Sequence, residues 1–296
     1  MPTTVFTSTH QFAQWRTSLP QGETVALVPT MGNLHAGHAA LMQHAQRHAQ
    51  HVVVSVFVNP TQFGPTEDFA RYPRSLAADT ELCHAQGVSA LWLPTTTELY
   101  PLGSEATQRF TCHPPAHLVN VACGEHRPGH FEGVATVVLK LLLLAQPHVA
   151  VFGEKDAQQL AIIQALVRDW HLPTRILPHP LVRQANGLAM SSRNRYLVTP
   201  ALQRSALALS EVTNHVTQQV QQANQPLPTE VAFANAIADL SPHWPCQVAW
   251  QYALAVDPTT FEPLSTVQQG VRLLVAATLT DAPHPPVRLI DTLLCE

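Results

Sequence analysis

A chain of 296 residues, 46% hydrophobic and only 12% charged, carries enough apolar mass for a sizeable core, which excludes a disordered protein and allows two domains or one large one. The formal net charge of −4 provides no broad basic surface, so nucleic acid is excluded as a partner and any anionic ligand must be held by a local site. The five cysteines are odd in number and widely spaced, with no Cys-x-x-Cys pair, which points to a reduced, cytoplasmic setting rather than a disulfide framework.

The N-terminus lacks the basic, apolar and small-residue progression of a signal peptide, and a soluble chain without a membrane partner is expected. Val25–Val28 is short, apolar and rich in β-branched residues and reads as a strand, whereas Ala39–Gln50 has helical composition. Between them lies Pro29-Thr30-Met31-Gly32-Asn33-Leu34-His35-Ala36-Gly37-His38. A turn at a helix N-terminus offers an anion unpaired N–H groups and the positive end of the dipole. Gly32 and Gly37 let the backbone approach a ligand, and His35 and His38 share one face if the turn is helical. Their rings could then donate hydrogen bonds to phosphate oxygens as charge moves in a transition state. The same spacing recurs at His48 and His51 without glycines, where it reads as a solvated surface feature. On spacing alone a metal or structural role for His35 and His38 competes evenly with a phosphate role; the preceding strand, the glycines and the lack of an obvious third zinc ligand nearby favour phosphate.

Val52–Val58 is the next strand, followed by Asn59-Pro60-Thr61-Gln62-Phe63-Gly64, whose two amides suit a small polyhydroxy acid. A plain Asn-Pro turn with a solvent-facing glutamine fits that loop equally well. A helix over Leu76–Gln86 and a strand over Ala90–Leu93 precede the polar, glycine-bearing loop Cys123–Gly133. There Arg127 is a natural carboxylate or phosphate partner by its fork geometry, or a cap for loop carbonyls, while Cys123 reads as a small buried hydrophobe. Gly133–Gln146 reads as a buried helix; its core, Val134–Ala145, is interrupted by Lys140 and too short to span a bilayer. The strand Val149–Phe152 leads into Gly153-Glu154-Lys155-Asp156 and the helix Ala157–Trp170, which carries Gln158 and Gln159. Lys155 can neutralise a triphosphate, and Asp156 caps the helix or holds the nucleotide or its magnesium. With a last strand over Thr174–Leu177, the alternation is that of an α/β, Rossmann-like, doubly wound parallel sheet with ligands beyond the carboxyl ends of its strands.

After about Ala185 the pattern changes. Gly187–Arg195 is a polar loop with two serines and two arginines that could close over phosphates, a plain linker being the alternative. An Ala- and Gln-rich helical stretch ends in the solvated patch Gln218–Gln225, a Pro-punctuated link covers Gln225–Pro228, and another helix follows. Strands near Val248–Val256, Val271–Ala277 and Val287–Leu293 complete a smaller C-terminal α+β domain. The expected organisation is a catalytic domain over 1–185 and a lid domain over 186–296.

Pro29–His38, Val56–Phe63, Arg71-Tyr72-Pro73-Arg74, Arg127–Gly133, Gly153–Asp156 with Gln158 and Gln159, and Met190–Arg193 together closely resemble the pantothenate synthetase (pantoate–β-alanine ligase) family of the nucleotidylyltransferase superfamily, over most of the chain. The resemblance implies that a pantoate carboxylate attacks the α-phosphorus of ATP, supplied with Mg2+, and that β-alanine then attacks the pantoyl adenylate to give pantothenate and AMP. On the matching positions, Met31, Gly32, Asn33, Leu34, His35, Ala36, Gly37 and His38 would bind ATP, with His38 as the family's proposed proton donor and His35 beside the phosphates. Gly153, Glu154, Lys155, Asp156, Val182, Met190, Ser191, Ser192 and Arg193 would complete the nucleotide site, Gln62 and Gln159 would hold pantoate, and Gln62 would also meet β-alanine. Lys155 and Arg193 are the groups assigned to transition-state charge, and Ser191 and Ser192 to phosphate donation. A homodimer is implied by the resemblance alone.

Two departures stand out. Ala78-Asp79 replaces two adjacent acids, which leaves Asp79 a doubtful magnesium contact and no firm metal ligand. Arg288-Leu289-Ile290-Asp291 matches the family ending, but Thr292 replaces an asparagine and Asp281–Pro286 is an enlarged loop. The rivals are another nucleotidylyltransferase of the superfamily and a non-catalytic nucleotide-binding regulator. The first needs a basic cluster for a phosphorylated substrate, and the second predicts decay among His35, His38, Lys155 and Arg193, all of which are present.

Overall fold

Val25, Ala26, Leu27 and Val28 are four consecutive residues with no exposed surface, which requires cover on both faces of the strand that holds them. The structure, a computed structural model, describes residues 3–65, 67–223 and 225–296; Asn224, within the glutamine-rich patch, lies outside them. In chain order it begins β1 (Thr4–Phe6), α1 (Thr9–Ser18), β2 (Val25–Thr30), α2 (Ala36–Gln46), β3 (His51–Val56), α3 (Leu76–Ala85), β4 (Ala90–Trp92) and α4 (Thr96–Leu99). It continues α5 (Ala116–Val119), α6 (Ala122–His126), α7 (His130–Ala145), β5 (Val149–Gly153), α8 (Ala157–Asp169) and β6 (Arg175–His179).

The six strands form one parallel sheet in the order β1-β4-β3-β2-β5-β6. From β2 the chain winds outward through β3 and β4, then returns to place β5 against the other side of β2. That reversal is the topological switch point at which open α/β sheets bind ligands. On one face Ala26, Val28, Val52, Val54, Leu91, Val149 and Val151 pack with Met42 and Ala45 of α2 and Cys83 of α3. Elsewhere Phe12 of α1 stacks on Trp92 of β4 with centroids 4.4 Å apart, and the apolar helix α7 packs against β2 and α1. The expected strands and helices are all present. The sheet adds β1, whose three residues are too few to show a period and which pairs at the edge through Thr4 and Ala90.

The later part comprises α9 (Pro200–Ser205), α10 (Ala208–Ala223), β7 (Leu227–Pro228), α11 (Thr229–Leu240), β8 (Gln247–Val256), β9 (Pro263–Leu264), β10 (Thr266–Val267), β11 (Arg272–Thr280) and β12 (Val287–Leu294). An antiparallel sheet runs β12-β11-β8-β9, and β7 pairs with β10. Leu209, Val212, Val216 and Val220 recur at helical spacing along α10 and bury against Ala232, Phe233 and Ala236 of α11 and Leu273, Val275, Ala277 and Leu279 of β11.

The chain divides into two compact units. One is Met1–Pro115, Arg127–Gly153 and Ile162–Pro180; the other is Ala116–His126, Glu154–Ala161 and Leu181–Glu296. No helix among the described residues is long and apolar enough to cross a membrane.

Candidate active site

The turn after β2 is built from the strand outward. Thr30 Oγ1 donates to Ser55 O (2.8 Å) and accepts from Gly32 N (3.2 Å), which folds the chain back at the strand end. Gly32 (φ +82°) and Asn33 (φ +51°) are both left-handed. At position 32 only glycine fits, since a Cβ there would lie 2.9 Å from Val56 Cγ1 and 3.0 Å from Asp79 Oδ2. Asp79, at the start of α3 and 2% exposed, accepts from Asn33 N (3.0 Å), Leu34 N (2.8 Å) and Ser75 Oγ (3.1 Å). Cys83, one turn further along α3, has its thiol pushed up to about 12 by burial and then by Asp79, so it is an inert core residue.

His35 is the N-cap of α2, and the helix begins at Ala36 rather than at Ala39. Its Nδ1 accepts from Gly37 N (3.1 Å), while His38 Nδ1 accepts from His35 N (3.3 Å), a capping box made of two imidazoles. The ring centroids are 4.1 Å apart. A ring nitrogen that accepts an N–H carries no hydrogen, so each neutral imidazole bears its hydrogen on Nε2. The first-turn amides expected to face an anion are therefore partly engaged by side chains of the turn itself. Among the described residues no group of three or more His, Cys, Asp or Glu is arranged to hold a metal, and both Nδ1 atoms serve the helix cap.

The amide loop is pre-oriented. Gln62 is 9% exposed rather than solvent-facing; its Oε1 accepts from Asn59 Nδ2 (3.0 Å) and its Nε2 points at Met31 Sδ (3.1 Å) in the first turn. Asn59 is fixed in turn by Tyr100 Oη, which donates to its Oδ1 (2.8 Å), and by Gly133 O (3.2 Å). Gly133 opens the apolar part of α7 against this loop, where a Cβ would sit 2.3 Å from Thr61 O. Arg127 does not wait for a substrate. Its fork is bidentate on Glu67 (2.7 and 2.5 Å) and its Nη2 also reaches Gln62 O (3.3 Å). His130 Nδ1 donates to the same carbonyl (2.7 Å) while its Nε2 accepts from Arg127 Nη1 (2.8 Å). Burial raises the Glu67 carboxyl, but hydrogen bonds and charge from Arg127 outweigh it and hold the group below the ordinary glutamate value.

In the second unit, Glu154–Asp156 form one tight turn before α8. Arg272 Nη2 donates to Glu154 Oε2 (3.0 Å), and Lys155 Nζ lies 3.7 Å from Asp156 Oδ1. Gln158 is structural: its Nε2 donates to Leu118 O (2.8 Å) and Val121 O (2.7 Å). Gln159, its neighbour, is half-buried. Val182 and Met190 are joined by Met190 N donating to Val182 O (2.9 Å). Below them Arg183 is bidentate on buried Asp291 (2.7 and 3.0 Å), which gives the family-like ending Arg288–Asp291 a structural purpose. Ser191 caps the turn Ser192–Tyr196 by accepting from Arg193 N (3.3 Å). Cys123 is buried as expected, but with polar company: Tyr252 Oη at 3.0 Å and Arg288 Nη2 at 3.3 Å.

The second histidine pair differs from its expectation as a solvated feature. His48 is exposed and stacks on His44, but His51 opens β3 and meets Glu23 at 2.5 Å, because the strand turns its ring inward toward Trp15. Glu67, Tyr100 and Arg183 carried no local signal, since each acts on a residue remote in sequence.

Residues 4–294 match the family model described as pantoate-beta-alanine ligase. A bifunctional pantoate ligase/cytidylate kinase of Synechococcus sp. (strain JA-3-3Ab) is 45% identical over 98% of this chain and 51% of its own length. The chain spans about half the length of the first curated relatives it matches. A crystal structure of pantothenate synthetase from Thermus thermophilus superposes with a TM-score of 0.86 at 38% identity, covering 99% of both chains. One of pantoate-beta-alanine ligase from Francisella tularensis, complexed with beta-gamma ATP and beta-alanine, does so with 0.77 at 30% identity, covering 99% of this chain and 98% of that one. The six-stranded parallel sheet, the histidine-capped turn after β2 and these likenesses have one meaning: the chain belongs to the pantoate–β-alanine ligase family.

Proposed function

We propose that this chain catalyses the ATP-dependent condensation of pantoate with β-alanine through a pantoyl adenylate, releasing pyrophosphate and AMP. The observation that carries the reading is the pair His35 and His38 at the start of α2, with the buried amide of Gln62 tied to Met31 of the same turn. A phosphate-facing pair after β2 and a carboxylate- or hydroxyl-facing amide after its parallel neighbour β3 suit an acid about to be adenylated. The Francisella relative's complex with beta-gamma ATP and beta-alanine supports the same substrates here.

In the first step a pantoate carboxylate oxygen bonds to the α-phosphorus, the bond to the bridging oxygen breaks, and its electron pair leaves with pyrophosphate. No proton has to move. On this reading His38 fills the family's donor role as a hydrogen bond from Nε2 to the phosphates, with His35 beside it. Lys155 and Arg193 neutralise charge developing on pyrophosphate, and Ser191 and Ser192 donate to it. Met31–Leu34, Ala36, Gly37, Gly153, Glu154, Asp156, Val182 and Met190 line the nucleotide. Gln62 and Gln159 hold pantoate, and Gln62 then meets β-alanine, whose neutral amine bonds to the acyl carbon as the bond to the AMP oxygen breaks, the electron pair leaving with AMP and the amine's extra proton going to solvent. Residues 1–185 act as the catalytic domain and 186–296 as its lid. Magnesium would be supplied as its complex with ATP; Asp79, buried with both oxygens on backbone amides, does not fit as its ligand. The enzyme works as a cytoplasmic homodimer on small molecules.

The test is AMP and pyrophosphate release by the purified chain, with positional isotope exchange in ATP to report the adenylate. Exchange that needs pantoate, and turnover that also needs β-alanine, are expected; AMP formation independent of pantoate overturns the assignment.

A further inference from the structure

Two successive backbone N–H groups in a left-handed turn form a concavity that binds anions. At Gly32–Leu34 this concavity is already filled. Asn33 N and Leu34 N donate to Asp79 Oδ2 and Oδ1 at 3.0 and 2.8 Å, and the carboxylate that fills it is 2% exposed. Ser75 Oγ lies between the two sides, 3.1 Å from Asp79 Oδ1 and 3.4 Å from Asn33 Oδ1. Val56 and Asp79 leave no room for a side chain at position 32. The turn is thus pressed against α3 by an acid whose partners are amides and a hydroxyl.

We propose that Asp79 is a positioning residue for the two histidines: a built-in anion that fixes the Gly32–Leu34 turn, and through it the cap of α2, rather than a ligand for magnesium. Leu34 is followed directly by His35, whose own N–H carries His38 Nδ1. Any shift of Leu34 N therefore moves both rings together. A cation at Asp79 would face the N–H hydrogens that now point at its oxygens, and binding it would require releasing them. An asparagine at position 79 keeps the shape but turns one acceptor into a donor against an N–H, so the cradle loses one side.

The consequence for rate rests on the function proposed above, whereas the clamp is read without substrate. The experiment uses the full chain with Asp79→Asn and Ser75→Ala. The adenylation rate is measured against magnesium concentration, and the Asn33 and Leu34 amides are followed by 15N–1H spectra and hydrogen exchange in the absence of ligand. Asp79→Asn should lower the maximal rate about 100-fold, as a misplacement of about 1 Å does. The magnesium concentration for half-maximal rate should stay unchanged while both amides lose protection. Ser75→Ala, which removes a single hydrogen bond, should fold normally and lower the rate by up to about tenfold with the same pattern. Rescue of either variant by added magnesium overturns the proposal, as does a rate that stays at the wild-type value after the amides lose protection. If Asp79→Asn does not fold, Ser75→Ala decides alone. Absence of pantoate-dependent AMP from the unsubstituted chain would instead defeat the functional reading and leave the amide result standing.

Discussion

His35 with His38 and His48 with His51 share one spacing and nothing else. The first pair falls on the first turn of α2, where each Nδ1 accepts a backbone N–H and the rings stand 4.1 Å apart. The second straddles a helix end and a strand start, so one ring stacks on His44 and the other pairs with Glu23. Three residues bring two side chains to one face only if the backbone between them is helical. The cap is what converts spacing into a constellation. What makes the cap possible lies before it, in a left-handed turn that Gly32 and Asn33 adopt and Asp79 holds.

The contrast between the pairs is tested most severely at the charge assigned to the phosphates. Lys155→Ala should slow pantoyl-adenylate formation by about 10³-fold, measured by pyrophosphate release in a single turnover, because no other group supplies a compact positive charge on that loop. A rate within a few-fold of wild type removes Lys155 from the phosphate site. His38→Ala should cost about 10²–10³-fold in the same assay, the range for loss of one donor to developing anionic charge. It also deletes half of the capping box, worth about 1 kcal/mol of stability, so thermal unfolding separates the two effects. An adenylation rate near wild type with lowered stability would make His38 a cap and no more.

Much of this was legible in the sequence, and the reason is local. Strands buried on both faces read as continuous apolar runs, so Val25–Val28 and Val149–Phe152 stand out, and the helix pattern between them dictates a parallel sheet. The turn Met31–His38 announces itself because glycines and histidines fall between such a strand and a helix. Partnerships across the fold left no trace. Asp79 meets Asn33 across 46 positions, Arg127 meets Glu67 across 60 and Arg183 meets Asp291 across 108. Each depends on which loops the sheet order gathers, so Arg127, which reads in sequence either as a carboxylate or phosphate partner or as a cap for loop carbonyls, is in three dimensions paired with Glu67 and bonded to the Gln62 carbonyl. Strand β1 was invisible because three residues cannot show a period.

The amide loop probes the first pair from the side of the substrate. Gly133→Ala places a methyl 2.3 Å from Thr61 O and should cost about 1–3 kcal/mol by overpacking, with a raised KM for pantoate as Gln62 is displaced. Unchanged KM alongside lowered stability would uncouple Gly133 from the pocket. The brace on that loop predicts a pH dependence. With the Glu67 carboxyl held below its ordinary value in the fold, its ion pair with Arg127 stabilises the protein above the unfolded pKa and is lost as pH falls through the folded one. The difference in urea midpoint between wild type and Glu67→Gln should therefore be full near about pH 7 and close up toward about pH 3. A gap that stays constant on acidification would assign the loop's stability to packing.

The smallest effect tests the pair that spacing alone would have promoted. His51 and Glu23 form a partly exposed contact at the base of β3, with side chains 19% and 31% exposed. Pairs of this kind are worth about 0.2–1 kcal/mol, so His51→Ala should lower stability by no more than that and leave adenylation within about twofold of wild type. His48→Ala, on an exposed residue beyond α2, should change neither, because its ring stacks on His44 at the far end of that helix from the cap. A tenfold loss of adenylation in either variant would mean that the spacing carries function without a helix cap. It would remove the distinction between the two pairs at its root, since neither of these rings belongs to the capping box that opens α2.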